Sequence, residues 1–301
     1  MKKIAISIGD INGIGLEIAL RAHEEISQLC KPTYCINKTM LGWGAAMLGL
    51  DVPEKFKTKE CGEIFDIKPG IATKEAGEMS YDSFVTAIAL AKSEKVSAIV
   101  TLPINKTSWN MAGIRYKGHT DALADLLGCK TIMMLGCDEM FVILYTHHIP
   151  LKAVSDKIHA KKLAKFLLDV ATSVEEEEIA VLGLNPHAGD HGVIGDEESE
   201  ITLAINKANE LLGKERFIGP LVPDIAFSKS SRERYRYFVC MYHDQGLIPL
   251  KALYFEESIN VTLNASIVRT SVDHGTAFDK AYKNADLSLK SYINAIKEAI
   301  K

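Results

Sequence analysis

The sequence predicts an α/β protein built on a mainly parallel sheet. Three observations carry this. Short apolar runs alternate with longer stretches of helical spacing, the pattern of strand–helix–strand units. Polar clusters containing Gly or Pro follow the apolar runs directly, as in IAISIGDINGIG, AIVTLPINKT, AVLGLNPHAGDHG and FVCMYHDQG. Ligands collect at such strand ends in parallel sheets, and four of them in one chain are consistent with one large cleft. Finally, 301 residues with 47% hydrophobic and 25% charged content suit two domains or one large α/β unit with a substantial core.

Taken in order, residues 3–8 read as the first strand, since the segment is too short and too polar at its end for a signal peptide. Gly15 to Leu29 follows as a helix after a Gly-rich turn. Residues 81–93 have helical spacing, and Val96 to Leu102 reads as a strand. Met133 and Met134 open an apolar region that runs on through Phe141–Tyr145. Residues 159–173 read as a helix, Ile179 to Leu184 as a strand, 196–212 as a helix and Tyr237 to Tyr242 as a strand. Residues 260–263 and 266–269 are short extended pieces, and 288–300 is an amphipathic helix.

The bulk properties exclude several classes. A net charge of −4 with no basic block argues against a nucleic-acid partner. No apolar stretch approaches the roughly 20 residues of a membrane span. The six cysteines are scattered without a C-x-x-C pair, which fits reduced thiols in a cytoplasmic protein.

Four stretches could carry chemistry, and each has a plain structural alternative. GDINGIGLEI has the spacing G-x-x-x-G-x-G rather than G-x-G-x-x-G, and no P-loop lysine follows. A tight strand–helix turn explains it at least as well as a phosphate site. Of the nine histidines, His23 and His159 lie in or beside helical stretches and read as surface residues. Most of the others, His148, His187 and His243 among them, sit in polar loops. Neutral imidazoles suit a divalent metal, but the long gaps leave separate loop histidines as an alternative. In KGHTDALADLL, Thr120 or Asp121 could cap the next helix, or Thr120 and the helix N-terminus could face an anion. In NVTLNASIVRTSVDHGTAFDKA, Asn260 and Arg269, with Lys251 upstream, could hold a phosphate through charge-assisted hydrogen bonds. There Asp273 could equally be a plain N-cap.

Taken together, GDINGIGLEI, TLPINK, AGIRYKGHTD, THHIPL, LNPHAGDHGVIGDEE, MYHDQGLIPLK and NVTL…VRTSVDHGTAFD resemble the 4-hydroxythreonine-4-phosphate dehydrogenases of pyridoxal phosphate (vitamin B6) biosynthesis, from residue 4 to about residue 281. The resemblance implies the two-domain fold of isocitrate and isopropylmalate dehydrogenases, with the active site in the interdomain cleft. One domain, residues 1–128 plus 251–301, would be built from both chain ends and bind the cofactor. An inserted middle domain, residues 129–250, would carry the metal ligands and the dimer contact. It implies oxidation of 4-phosphohydroxy-L-threonine with NAD or NADP, loss of CO2 to give 3-amino-2-oxopropyl phosphate, and a homodimer with shared active sites. By match to the family motifs, His148, His187 and His243 would hold one divalent metal (Zn, Co or Mg). His119, Thr120, Lys251, Asn260 and Arg269 would bind substrate, His274, Gly275, Thr276 and Ala277 the cofactor, and Asp224 would lie near the metal. Asp244 would orient the site, and Asp244 or Lys106 would act as the base.

The chain departs from that pattern in places. Ile11-Asn12 stands where Pro-Ala is usual, Asn264-Ala265-Ser266 where Gly-Leu-Pro is usual, Asp121 where Glu is common, and Lys280–Asn284 where Ile-Ala-Gly-Lys-Gly is usual. A paralogous decarboxylating dehydrogenase of another phosphorylated hydroxy acid, or a non-catalytic metal- and phosphate-binding protein, would fit the same motifs.

Overall fold

A computed structural model describes residues 1–175 and 178–301. In chain order its elements are β1 (Lys3–Ser7), α1 (Gly15–Leu29), β2 (Lys31–Cys35), α2 (Lys38–Leu48), β3 (Thr58–Lys59), α3 (Lys74–Lys92), β4 (Ala98–Thr101), α4 (Lys106–Met111), α5 (His119–Leu127), β5 (Ile132–Cys137), β6 (Met140–Leu144), α6 (Ala160–Ala171), β7 (Ile179–Leu182), α7 (Glu197–Leu212), β8 (Phe217–Leu221), α8 (Lys229–Arg234), β9 (Tyr237–Cys240), α9 (His243–Tyr254), β10 (Ile259–Leu263), β11 (Val268–Val272) and α10 (Lys290–Ala299).

The chain divides into two compact units, Met1–Cys129 with Ile259–Lys301, and Lys130–Ser258. Residues 251–258, placed with the chain ends in the sequence reading, fall in the second unit, because Lys251 is still inside α9. In unit 1 the strand order is β3-β2-β1-β4-β11-β10, parallel except for the β10/β11 pair. In unit 2 it is β5-β6-β9-β7-β8, parallel except for β5/β6. The sheet is therefore mainly parallel, as its apolar strands suggested: β4, β6, β7 and β9 are buried along their whole length.

Local chemistry sets many boundaries. Asn37, Thr73 and Asn105 accept backbone N–H bonds at the starts of α2, α3 and α4. Gly49, Gly128 and Gly213 close α2, α5 and α7 in the left-handed conformation. Helix α3 starts seven residues before the stretch 81–93. Its first turns contain Gly77, where a Cβ would lie 2.1 Å from the Ser108 carbonyl oxygen, so close helix packing and not helix propensity chose that residue.

Two further expectations are corrected. His23 is buried, its ring bridging the Tyr34 hydroxyl (3.0 Å) and Ser27 Oγ (3.1 Å). The stretch at 243 is no polar loop: Tyr242 is extended and His243 opens α9.

Candidate active site

In unit 1 two candidate side chains, Asn260 and Arg269, lie on the neighbouring strands β10 and β11. The register pairs Arg269 with Thr262 and with Ile99, and Asn260 with Ser271, so Arg269, Asn260, Thr262 and Thr101 share one face of the sheet. Arg269 is 2% exposed. Its Nη2 and Nε donate to Thr101 Oγ1 at 2.7 and 3.2 Å, and its Nη1 donates to Thr262 Oγ1 at 3.2 Å. Both acceptors are neutral. Burial pulls the guanidinium down to about 9, so it stays a cation at neutral pH. A buried charge without a counter-charge costs several kcal/mol, and an anionic ligand would remove that cost.

His119 opens α5 and packs edge-on against Phe84 and Trp109, with ring centroids 4.8 and 5.6 Å away. Burial, and then the charge of Arg269, hold its imidazole well below the ordinary histidine value, so it is neutral. Its Nε2 and the Oδ1 of Asn260 are buried without a hydrogen-bond partner among the described residues. Such atoms are rare in a finished core and are expected where a polar ligand completes the site. Helix α5 has no side-chain cap. Asp121 accepts from Lys117 N (3.2 Å), and the Thr120 hydroxyl is left uncommitted among the described residues. Lys106 is exposed at the start of α4.

The Gly-rich turn is a packing device. A Cβ at Gly9 would lie 2.1 Å from the Pro103 oxygen, at Gly15 2.5 Å from the Ile8 oxygen, and at Gly13 2.8 Å from the Thr276 oxygen. The Ile14 amide, which a bound phosphate would need, already donates to Thr276 O (3.1 Å). That bond fixes the back of the 274–277 loop. Gly275 is exposed with nothing within 4 Å of a Cβ, and His274 stands beside it half-buried, so a flat ligand could approach this backbone. No helix follows the loop, so Asp273 is not an N-cap; its amide donates to Ser291 Oγ (3.1 Å). Tyr282 and Asn284, at positions where the family has glycine, keep left-handed backbones (φ 59 and 50). The Tyr282 hydroxyl compensates by donating to Ile11 O (2.9 Å).

In unit 2 the functional groups are imidazoles. His148, at φ 51, and His243 lie with ring centroids 5.5 Å apart. The Asp244 carboxylate is 2.7 Å from His243 Nδ1. That contact favours the tautomer with the proton on Nδ1 and leaves Nε2 as a free ligand nitrogen. His187 lies in the turn Pro186–Gly192, where five successive residues from His187 to His191 have positive φ. Each non-glycine there costs on the order of 1 kcal/mol or more. Among the described residues no three His, Cys, Asp or Glu side chains stand close enough to form a metal cluster, so His187 is not brought to the His148–His243 pair. The pair and its carboxylate orienter have the donor chemistry that a borderline divalent metal takes. Lys251 in α9 donates to Ser258 Oγ (3.2 Å), with its ammonium 5.2 Å from the Phe255 ring centre. Asp224 is exposed in a turn after β8.

Some residues escaped the sequence reading. His147 lies beside His148, with their Nδ1 atoms 3.4 Å apart, and burial first and then the two neighbouring imidazoles lower its proton affinity. Its doubled histidine was the available signal. Thr101 could not be singled out, because its role comes from a residue 168 positions away.

The fold and these groups define a class: a mainly parallel α/β fold with a buried arginine on its sheet and no Rossmann turn. A β-decarboxylating dehydrogenase from Thermococcus kodakarensis shares that fold, at 12% identity with a TM-score of 0.53 over 98% of this chain and 82% of that one. Family membership is more specific. Residues 28–299 match the family described as pyridoxal phosphate biosynthetic protein PdxA. The chain is 57% identical over 298 residues to the 4-hydroxythreonine-4-phosphate dehydrogenase of Sulfurimonas denitrificans, covering 99% of this chain and 97% of the relative. The structure of a putative 4-hydroxythreonine-4-phosphate dehydrogenase from Salmonella typhimurium is similar over 100% of this chain and 99% of that one, with a TM-score of 0.85 and 31% identity. The chain belongs to the PdxA family.

Proposed function

We propose that this protein is the 4-hydroxythreonine-4-phosphate dehydrogenase of a vitamin B6 pathway. It would oxidise 4-phosphohydroxy-L-threonine with NAD or NADP and release CO2 to leave 3-amino-2-oxopropyl phosphate. Family membership supports the reaction class. The observation that carries the substrate class is Arg269, a buried cation whose acceptors among the described residues are two hydroxyls.

In this reading Arg269 holds the phosphate, and burial strengthens every charge-assisted bond it makes, while the unpartnered Asn260 Oδ1 would accept from a donor group of the substrate. His119, kept neutral, offers one N–H to a phosphate oxygen without adding charge, and the Thr120 hydroxyl is free to donate beside it. In unit 2, His148 and His243 would hold a divalent ion, with Asp244 fixing the His243 tautomer, and His187 would join them only after its turn shifts toward the pair. When bound, the ion supplies Lewis-acid polarisation of the substrate oxygen and the nicotinamide supplies the hydride acceptor. Residues His274 to Ala277 would hold the cofactor on a loop braced by the Ile14 amide. Of the two candidate bases for the hydroxyl proton, Asp244 is engaged with His243, which favours Lys106. The proposed assembly is a cytoplasmic homodimer; among the described residues no helix is long and apolar enough to cross a membrane.

The test is NAD(P)H absorbance on mixing the protein, 4-phosphohydroxy-L-threonine and NAD or NADP, with chelator or with added Zn²⁺, Co²⁺ or Mg²⁺. Metal-dependent NAD(P)H formation is expected. Folded protein that gives no signal with any metal would overturn the reading.

A further inference from the structure

The first turn of α7 carries three carboxylates: Glu197, Glu198 and Glu200. Carboxylates suit a helix N-terminus, but these reach further than their own helix. Glu198 is 7% exposed. Its Oε1 accepts the backbone amides of Leu184 (2.8 Å) and Asn185 (2.7 Å), and its Oε2 accepts Asn185 Nδ2 (2.9 Å). Asn185 is two residues before His187. Gly189, inside the left-handed run, has the φ (79) and the missing Cβ that the arrangement needs: a Cβ there would lie 2.6 Å from Glu198 Oε2. Glu197 Oε2 takes a second bond from Asn185 Nδ2 (2.7 Å), while its Oε1 accepts the Ser155 hydroxyl. Glu200 Oε2 accepts the Ala160 amide (2.6 Å). Ser155 and Ala160 belong to the segment that follows His148. One helical turn therefore holds the strained loop of His187 and the chain leaving His148.

We propose that Glu198 is a positioning residue for His187, acting through Asn185 and the left-handed turn, with Glu197 tying that turn to the segment after His148. The inference rests on the metal-binding role proposed above for His187. Five successive left-handed residues persist only where their surroundings over-determine them, and the Glu198 carboxylate supplies three of the bonds that do so. Replacing Oε2 by an amide, as in Glu198→Gln, sets an NH2 group against the Asn185 NH2 group, donor facing donor, with almost no change of volume.

The experiment compares the full-length protein with Glu198→Gln in two measurements. One is Co²⁺ titration followed by visible absorption. The other is amide hydrogen exchange of residues 184–195 without metal. The variant should bind Co²⁺ roughly 10- to 100-fold more weakly, the usual scale for losing a group that orients a ligand, and its Leu184 and Asn185 amides should exchange faster. Wild-type Co²⁺ affinity and spectrum in Glu198→Gln would overturn the proposal. If the wild-type protein itself binds no Co²⁺, the metal reading fails, and the clamp is judged on exchange alone: faster exchange upholds it and wild-type exchange overturns it. If Glu198→Gln also loses global thermal stability, Glu198→Asp decides. Partial recovery of Co²⁺ affinity is expected there, and no recovery overturns the proposal.

Discussion

Arg269 and His119 of unit 1 are almost fully buried on regular elements, whereas His148, His187 and His243 of unit 2 stand half-buried or exposed, two of them on left-handed backbone. Arg269 and His119 sit on β11 and at the head of α5, with their energetic cost in desolvation. His148 and His187 carry their cost in the backbone, at φ 51 and 53. The difference matches the proposed ligands. A phosphate is gripped best by fixed donors in a dry site, where each bond is strong. A metal ion needs lone pairs aimed by loops and must exchange ligands with solvent and substrate.

Four substitutions break or sharpen this contrast. The largest effect is expected in unit 2: His243→Ala should abolish turnover and lower metal content while the fold persists. Full activity would remove the imidazoles from the chemistry. In unit 1, Arg269→Met should raise the substrate KM by about 100-fold, the scale of losing a buried charge-assisted bond. The same change should leave the ligand-free protein as stable as before, or more stable by about 1–4 kcal/mol, because an uncompensated buried cation is gone. A loss of both stability and affinity would mean that Arg269 is structural. Asp244→Asn should lower kcat/KM by about 10- to 100-fold through the His243 tautomer with an unchanged melting temperature, as befits an exposed pair. A shifted melting temperature with normal kinetics would reverse that assignment.

The last comparison is a pH slope in unit 1. Asp10 is fully buried, and burial lifts its carboxyl from 3.8 to about 6 against the pull of the Ser108 and Asn12 hydrogen bonds. The folded state thus keeps its proton where the unfolded chain has lost it. Stability should fall by up to about 3 kcal/mol as pH rises from near 4 to about 6. Denaturant melts across that range should show Asp10→Asn with a flatter profile. An identical slope would place the titration elsewhere.

Much of this architecture was legible in the residues. The bounds Gly15–Leu29 follow from helical periodicity and the Gly-rich turn, and β7 and β9 were found as apolar runs, each shortened by two residues because their last residues lead into the polar loops. The start of α3 was missed because Gly77 serves the packing of α4 and lowers the local helix signal. The candidate residues came from motif resemblance, and their surroundings did not. His243 looked like a strand end and is a helix start. His23 looked like a surface residue and is enclosed by Tyr34 and Ser27. Asp273 looked like a cap, and no helix follows it.

By itself the sequence determined the α/β class, most elements, the family and the candidate site residues, because periodicity, capping and long motifs are local properties. The tertiary structure alone decided that Arg269 is a cation without a counter-charge among the described residues, that burial keeps His119 neutral, that three glycines are packing contacts, and that Glu198 accepts the Leu184 and Asn185 amides. Each of these depends on which atoms from other elements exclude water or complete a hydrogen bond. Thr101 and Arg269 lie 168 residues apart, and only the folded sheet sets one against the other.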